Sequence, residues 1–376
     1  KAFILPDTVE LSTPLLQLFG QRWPDVKLSR FPIDGKTLLA LGAKDIDATA
    51  YVAPNSPLVI NINYLYYNPK WPESPAEAMA KKDVPSLFKA SAPLVTTFNH
   101  WPSIYLRCHD CWLMGQSIGE LNADLIPNQQ QLRLENGLID VDHTKLTIQG
   151  EWLTGYQGIS SHFAGRLEGR RFDESMRHFG VFTPLKEAKF GLDFDLGWQG
   201  EPWQPALSTL NGTLAGEFGR GRFDEMGGGS AGQLLRLVSV TAVLKRLQYD
   251  FSDSFGNYFD FDDIHATGKI EKGVIKTKDF LIDGTSADIA MQGEISLVKR
   301  RLDMEVVVAP EISAAAGVTA AVAINPIAGV AIYAATKVLT PLWNKLSFIR
   351  YKISGNFDNP EVDEILRQVN KEETNG

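Results

Sequence analysis

Asp288 to Pro310 read DIAMQGEISLVKRRLDMEVVVAP, and two runs within them alternate with period two. Ile289, Met291, Gly293, Ile295 and Leu297 fall on one side, against Asp288, Ala290, Gln292, Glu294 and Ser296. Leu302, Met304, Val306 and Val308 share a face against Asp303, Glu305 and Val307. Successive side chains of a strand point to opposite faces, so the pattern predicts a sheet with one apolar and one wet side. KLTIQGEWL, Lys145 to Leu153, repeats it: Leu146, Ile148, Gly150 and Trp152 oppose Lys145, Thr147, Gln149 and Glu151.

These strands share a phrase: apolar, any residue, Gly, polar, apolar. It stands at Ile148–Trp152 and Met291–Ile295, and again at Phe163–Leu167, Leu214–Phe218 and Ile353–Phe357, with a weaker copy at Ala266–Ile270. Each glycine falls on the apolar side. Glycine weakens a strand and marks a bend or a close approach, so a row of them would let a sheet curl and leave room along its apolar face. The pattern alone also fits hairpins packed into an ordinary sandwich core.

Two segments break the strand rhythm. After Gly227–Gly229, Leu234, Leu237, Val238, Thr241, Leu244 and Gln248 follow helical spacing, which predicts a helix at about 230–248. Ile312 to Thr336 then run 25 residues without a charge. Asn325-Pro326 and Thr340-Pro341 are helix-start signals, so 313–346 read as short helices with breaks. Ten of the 25 residues are alanine and only eight are large and apolar, a poor match to a span of about 20 apolar residues. Core-packed, re-entrant and interfacial helices all remain open.

The 376 residues carry a net charge of −8 and are 44% hydrophobic. That is globular composition, long enough for two domains or one extended one. Mild acidity argues against nucleic acid, which wants a concentrated basic face. The chain starts at Lys1 with no signal-like segment, the mark of a processed or truncated piece. Its two cysteines, Cys108 and Cys111 in RCHDCW, have no second CxxC to complete a zinc site, and Trp112 stands where haem attachment needs His. A structural disulfide in an oxidising compartment and a pair of free thiols both remain. A regular strand holds residues i and i+3 too far apart for a disulfide, so the bridge would require a turn or a bulge.

Signs of catalysis are thin. No GxSxG, phosphate loop, HExxH or dinucleotide fingerprint is present. Asp250, Asp253, Asp260, Asp262 and Asp263 crowd one stretch without the spacing of a calcium loop, and read as a solvated loop entering a strand. The six histidines show no ligand spacing. No cofactor, metal or enzymatic role is expected.

From Gly232 to Pro310, and again in the closing YKISGNFDNPEV with Gly355 and Pro360, the chain resembles the C-terminal region of the AsmA-like family of bacterial envelope proteins. The resemblance spans about Gly227 to Val362 and is looser from about Trp101. It implies a mainly β fold, an elongated, curled antiparallel sheet forming an apolar groove. It divides the chain into groove repeats (101–226), a C-terminal region (227–362) and a polar tail (363–376), and continuity assigns 1–100 as an N-terminal part of the groove with helical insertions. The implied function is passive conduction of phospholipids across the periplasm toward the outer membrane, with an inner-membrane anchor upstream. From alternation, the lining candidates are Leu146, Ile148, Ile289, Met291, Met304, Val306 and Val308. The helices at 312–346 would lie against the outer membrane through Ile324, Ile327, Val330, Ile332, Tyr333, Leu339 and Trp343, with Lys337 and Lys345 near headgroups. The competing expectation is an envelope scaffold with a closed β core that binds a partner protein.

Overall fold

A computed structural model describes residues 8–69, 98–155, 158–178, 183–224, 258–310, 348–357 and 359–368. The helices expected at 230–248 and 313–346 lie outside them, as do Asp250 and Asp253. The chain is mainly β, and its strands fall in one hydrogen-bonded sheet. Two compact units divide it: Lys1–Gly165 with Gly200–Gln204, and Arg166–Gln199 with Pro205–Gly376. They are called unit 1 and unit 2.

Unit 1 begins with β1 (Val9–Leu18), β2 (Gln21–Ile33), β3 (Lys36–Ala43), β4 (Ile46–Val52) and β5 (Leu58–Tyr67). After the connection come β6 (Ile104–Leu113), β7 (Gln116–Asn128), β8 (Gln131–Val141) and β9 (Thr144–Gly155), followed by β10 (Gly158–Gly169), whose last residues fall in unit 2. Consecutive strands pair antiparallel from β1 to β5 and from β6 to β9. Between these runs β5 and β6 pair parallel, because the long connection returns the chain to the end from which β5 started; a parallel step needs such a crossover. Tight turns close the hairpins, with Gly35 and Gly115 at positive φ. Register shifts interrupt β4–β5, β6–β7, β7–β8 and β8–β9. Each inserts a local bend.

Unit 2 contains a short helix α1 (Phe172–His178), then β11 (Leu185–Lys186), β12 (Phe190–Gln199), β13 (Asn211–Phe218), β14 (Gly221–Asp224) and β15 (Tyr258–Glu271). β16 (Val274–Gly284), β17 (Ala287–Ser296), β18 (Arg301–Pro310), β19 (Phe348–Asn356) and β20 (Asn359–Gln368) complete it. β12 pairs β13, β13 pairs β15, and β15 to β20 pair in sequence, all antiparallel. Asp260, Asp262 and Asp263 stand on β15 itself rather than in a loop. The alternation is reset there by a register shift between Phe261 and Asp263, which leaves Asp262 and Asp263 both exposed.

The helix α1 was not evident from periodicity, since seven residues are too few to show one. It has the charge order a helix dipole favours, Asp173 and Glu174 in the first turn and Arg177 and His178 in the last. Phe172 packs edge-on against Phe190 and Phe218, with ring centroids 5.0 and 5.1 Å apart.

Candidate functional site

Cross-strand register in unit 1 aligns one residue from each of nine strands into a single row. Leu11, Leu28, Leu41, Ala48 and Ile62 stand opposite one another across β1 to β5. Cys108, Leu121, Ile139 and Leu146 continue the row across β6 to β9. Every member is apolar. The adjacent row, one residue along each strand, is Glu10, Ser29, Ala40, Thr49 and Asn61, then Arg107, Asn122, Leu138 and Thr147. It is polar at seven of nine positions. Because neighbouring residues of a strand face opposite ways, these rows are the two faces of one sheet.

The apolar face of unit 1 is half open. Leu41, Ile62, Leu121, Ile139, Leu146 and Ile148 are half-buried, and Leu11 and Leu28 are exposed. The glycines do not leave free room on it. A Cβ at Gly150 would collide with the Phe163 ring and the His162 carbonyl, so the neighbouring strand fills the space the side chain gives up.

Cys108 and Cys111 form a disulfide with their Cα atoms 6.1 Å apart. The register of β6 against β7 shifts between them, three residue steps on β6 facing two on β7. The bulge supplies the approach that a regular strand denies. A matching shift sits on β5, where Asn63 is passed over between Ile62 and Tyr64 in pairing with β4. Both cysteines are buried, and the bridge sits within the apolar row.

On the polar side, Asp124 accepts hydrogen bonds from Arg107 Nη1 at 2.6 Å and Asn136 Nδ2 at 2.7 Å. The Arg107 bond holds its carboxyl below the ordinary range against the opposing effect of burial, with the Asn136 bond acting in the same direction. Asn136 takes a positive φ of 49° inside the β8 irregularity. The three side chains thereby tie the bulged parts of β6, β7 and β8 together.

Unit 2 builds the same kind of row and closes it. Phe190, Phe218, Ile264, Ile282, Ile289, Val308 and Ile349 stand opposite one another from β12 to β19. Met291 faces Val306, and Met304 faces Gly293 and Ile353. Ile289, Met291, Met304, Val306 and Val308 are brought onto one face as expected from alternation, and all five are buried in a single cluster that includes Phe172 of α1. Gly293 takes φ +143°, and a Cβ there would meet the Asp303 carbonyl and Met304. The reverse side of these strands is not uniformly wet. Val307, Ala290, Ala309 and Phe348 form a second buried cluster, so Val307 is not the exposed position its place beside Glu305 suggested. Strands apolar at consecutive residues bury both faces. Further along the wet side, Arg166 pairs with Glu168, Asp193 and Glu217, and Lys352 with Asp303.

The apolar-row positions on β1 to β8 carry little signal in the sequence. β3 carries Leu38 and Leu39 side by side, and the bulges reset the alternation of β5 and β8. Ile60-Asn61-Ile62-Asn63 on β5 was the one legible signal. Ile324, Ile327, Val330, Ile332, Tyr333, Leu339 and Trp343 lie outside the described residues. Among those described, no helix is long and apolar enough to cross a membrane, and no cluster of three or more His, Cys, Asp or Glu could hold a metal ion.

A long, mainly β sheet with an apolar front is the architecture of the β-groove class. The chain belongs to the YhdP family: the family described as YhdP protein matches residues 1–362. It is 42% identical over 367 residues to the protein named Intermembrane phospholipid transporter YhdP of Escherichia coli (strain K12), a match covering 98% of this chain and 28% of that protein. The chain thus spans little more than a quarter of the length of the curated relative it matches. No solved structure matches it.

Proposed function

We propose that this chain is a periplasmic segment of an inter-membrane conduit that passes phospholipids, without catalysis, along the apolar face of its sheet toward the outer membrane. The observation that carries the proposal is the nine-strand apolar row of unit 1, half open to its surroundings and backed by a polar row. An acyl chain laid on it gains about 0.8 kcal/mol for each CH₂ removed from water, and the headgroup stays wet. Many similar weak contacts favour sliding over tight capture. The name of the E. coli relative supports phospholipid as the cargo.

The segment 312–346 would rest on the outer membrane through its apolar helices, and an inner-membrane anchor would belong to a more N-terminal part of the protein. Flotation with liposomes tests that contact: the full chain should float, and a chain lacking 312–346 should stay at the bottom. Equal flotation removes the membrane contact. Native mass spectrometry of the chain purified from cell envelopes tests the cargo; bound phospholipid is the expected result, and a lipid-free protein at every concentration contradicts it. The buried cluster of unit 2 favours a second reading for that unit, a scaffold with a closed core that binds a partner protein.

A further inference from the structure

One margin of the unit 1 apolar face ends in aromatic rings. Trp152 continues the face of Leu146, Ile148 and Gly150 and stands opposite Leu132, beside the β7–β8 turn. Phe98 N–H donates to the Gln129 carbonyl and Thr154 N–H to the Gln130 carbonyl, each at 2.7 Å. These bonds fix the ring-bearing backbone to that turn. Phe98 meets Trp152 edge-on with centroids 5.3 Å apart, and Trp203 meets Trp152 edge-on at 5.2 Å. The segment carrying Trp203 is pinned at Gly200, whose N–H donates to the Ile159 carbonyl at 2.8 Å and whose carbonyl accepts from Ser161 Oγ at 2.9 Å. All these residues belong to unit 1.

Two features separate this cluster from ordinary core. Trp152 Nε1 is buried and has no hydrogen-bond partner among the described residues, whereas a buried indole N–H normally finds an acceptor. Trp203 is 68% exposed and Trp101, packed on Phe98 at 5.5 Å, is 49% exposed. Indole rings held half in water beside an apolar face suit the boundary between acyl chains and polar groups, where the ring lies with hydrocarbon and the N–H reaches toward oxygen.

We propose that Trp152 and Trp203 form a station for the ester–phosphate region of a phospholipid whose acyl chains lie along Ile148 and Leu146. Trp152 Nε1 is enclosed in the lipid-free protein, so the exposed Trp203 ring turns aside to let it donate to an ester or phosphate oxygen of that lipid and then covers the glycerol region from the water side. The station rests on the lipid-conduit reading, and it adds a defined stopping place to an otherwise uniform face. Its spacing from the lining follows from the strand: Trp152 stands four residue steps from Ile148, about 13 Å at the rise of a strand.

The test uses the full chain and vesicles of phosphatidylethanolamine and phosphatidylglycerol whose acyl chain carries a diazirine either near the ester or at its end. After irradiation, the ester-proximal probe should label peptides around Trp101 and Trp203, and the chain-end probe should label β9 near Leu146. Trp152→Phe keeps the ring and removes the donor. It should lower ester-proximal labelling at the rim roughly fivefold, the equivalent of about 1 kcal/mol for one hydrogen bond, with chain-end labelling retained. Trp203→Ala, at an exposed position, should lower the same labelling and decides the matter if Trp152→Phe does not fold. Unchanged rim labelling in both variants overturns the station and leaves the N–H facing a neighbouring ring. Labelling of the lining but never of the rim overturns the station alone. No labelling anywhere overturns the conduit as well.

Discussion

Leu41, Ile62 and Ile139 in unit 1 and Ile282, Ile289 and Val308 in unit 2 hold matching positions, each in a cross-strand row on the apolar face of a sheet. The first three are half-buried and the last three are fully enclosed. The difference lies in what each unit sets upon its row. Unit 2 adds Phe172 from α1 and a bank of rings from Phe223, Phe259 and Phe261, with Phe223 and Phe261 centroids 5.3 Å apart. In unit 1 Leu41, Ile62, Leu121, Ile139 and Leu146 stay half-buried on either side of the buried Ala48 and Cys108, and a tryptophan cluster lies at one margin of the face. Alternation in a strand therefore identifies a face, and only the neighbouring elements decide whether that face is a lining or a core.

The largest effect should come from charging the two rows. Val306→Asp buries a carboxylate with no partner and should destabilise unit 2 by about 4 kcal/mol or more, whereas Ile62→Asp, half open to water, should stay within about 2 kcal/mol. Denaturant unfolding followed by hydrogen exchange in each unit separates the two; equal losses would erase the contrast between them. Next in size is the disulfide. Cys108→Ser should cost about 2 kcal/mol, and the lost protection should fall on the amides of β5, β6 and β7 while unit 2 is untouched. Loss spread evenly over both units would deny the bridge its local role at the bulge.

A smaller effect belongs to Asp124. Its folded pKa lies below the ordinary value, so the carboxylate contributes stability that is complete above the unfolded pKa and fades as pH falls through the folded one. Arg107→Met should lower unit 1 stability at neutral pH by about 1 kcal/mol, a modest figure because Arg107 is 40% exposed. The gap between variant and native protein should close on acidification. A pH-independent gap would mean that Arg107 acts through packing alone.

Several of these features could be read from sequence. Ile289, Met291, Met304, Val306 and Val308 share a face because β17 and β18 are regular enough to keep period two along their length. The need for a turn or bulge between Cys108 and Cys111 followed from strand spacing. What stayed hidden depends on distant partners. The parallel meeting of β5 and β6 is fixed by where a long connection returns. The burial of Val307 depends on Phe348, which is remote in sequence. Asn63 and Asn136 sit at irregularities that reset the alternation on either side, so the apolar row of β1 to β8 emerges only once the registers are laid next to one another. Trp152 was legible as an apolar-face residue; its unpartnered Nε1 depends on Phe98 and Trp203, from separate segments.

The most direct test of a lipid-bearing face uses two adjacent positions on β5. A photo-crosslinking side chain placed at Ile62, on the apolar row, should capture labelled phospholipid in cells, and the same group at Asn61, on the polar row, should capture none. Capture at Val306 should be weak, since that row is filled by protein. Equal capture at Ile62 and Asn61, or none at either, would contradict a one-sided lipid path through unit 1.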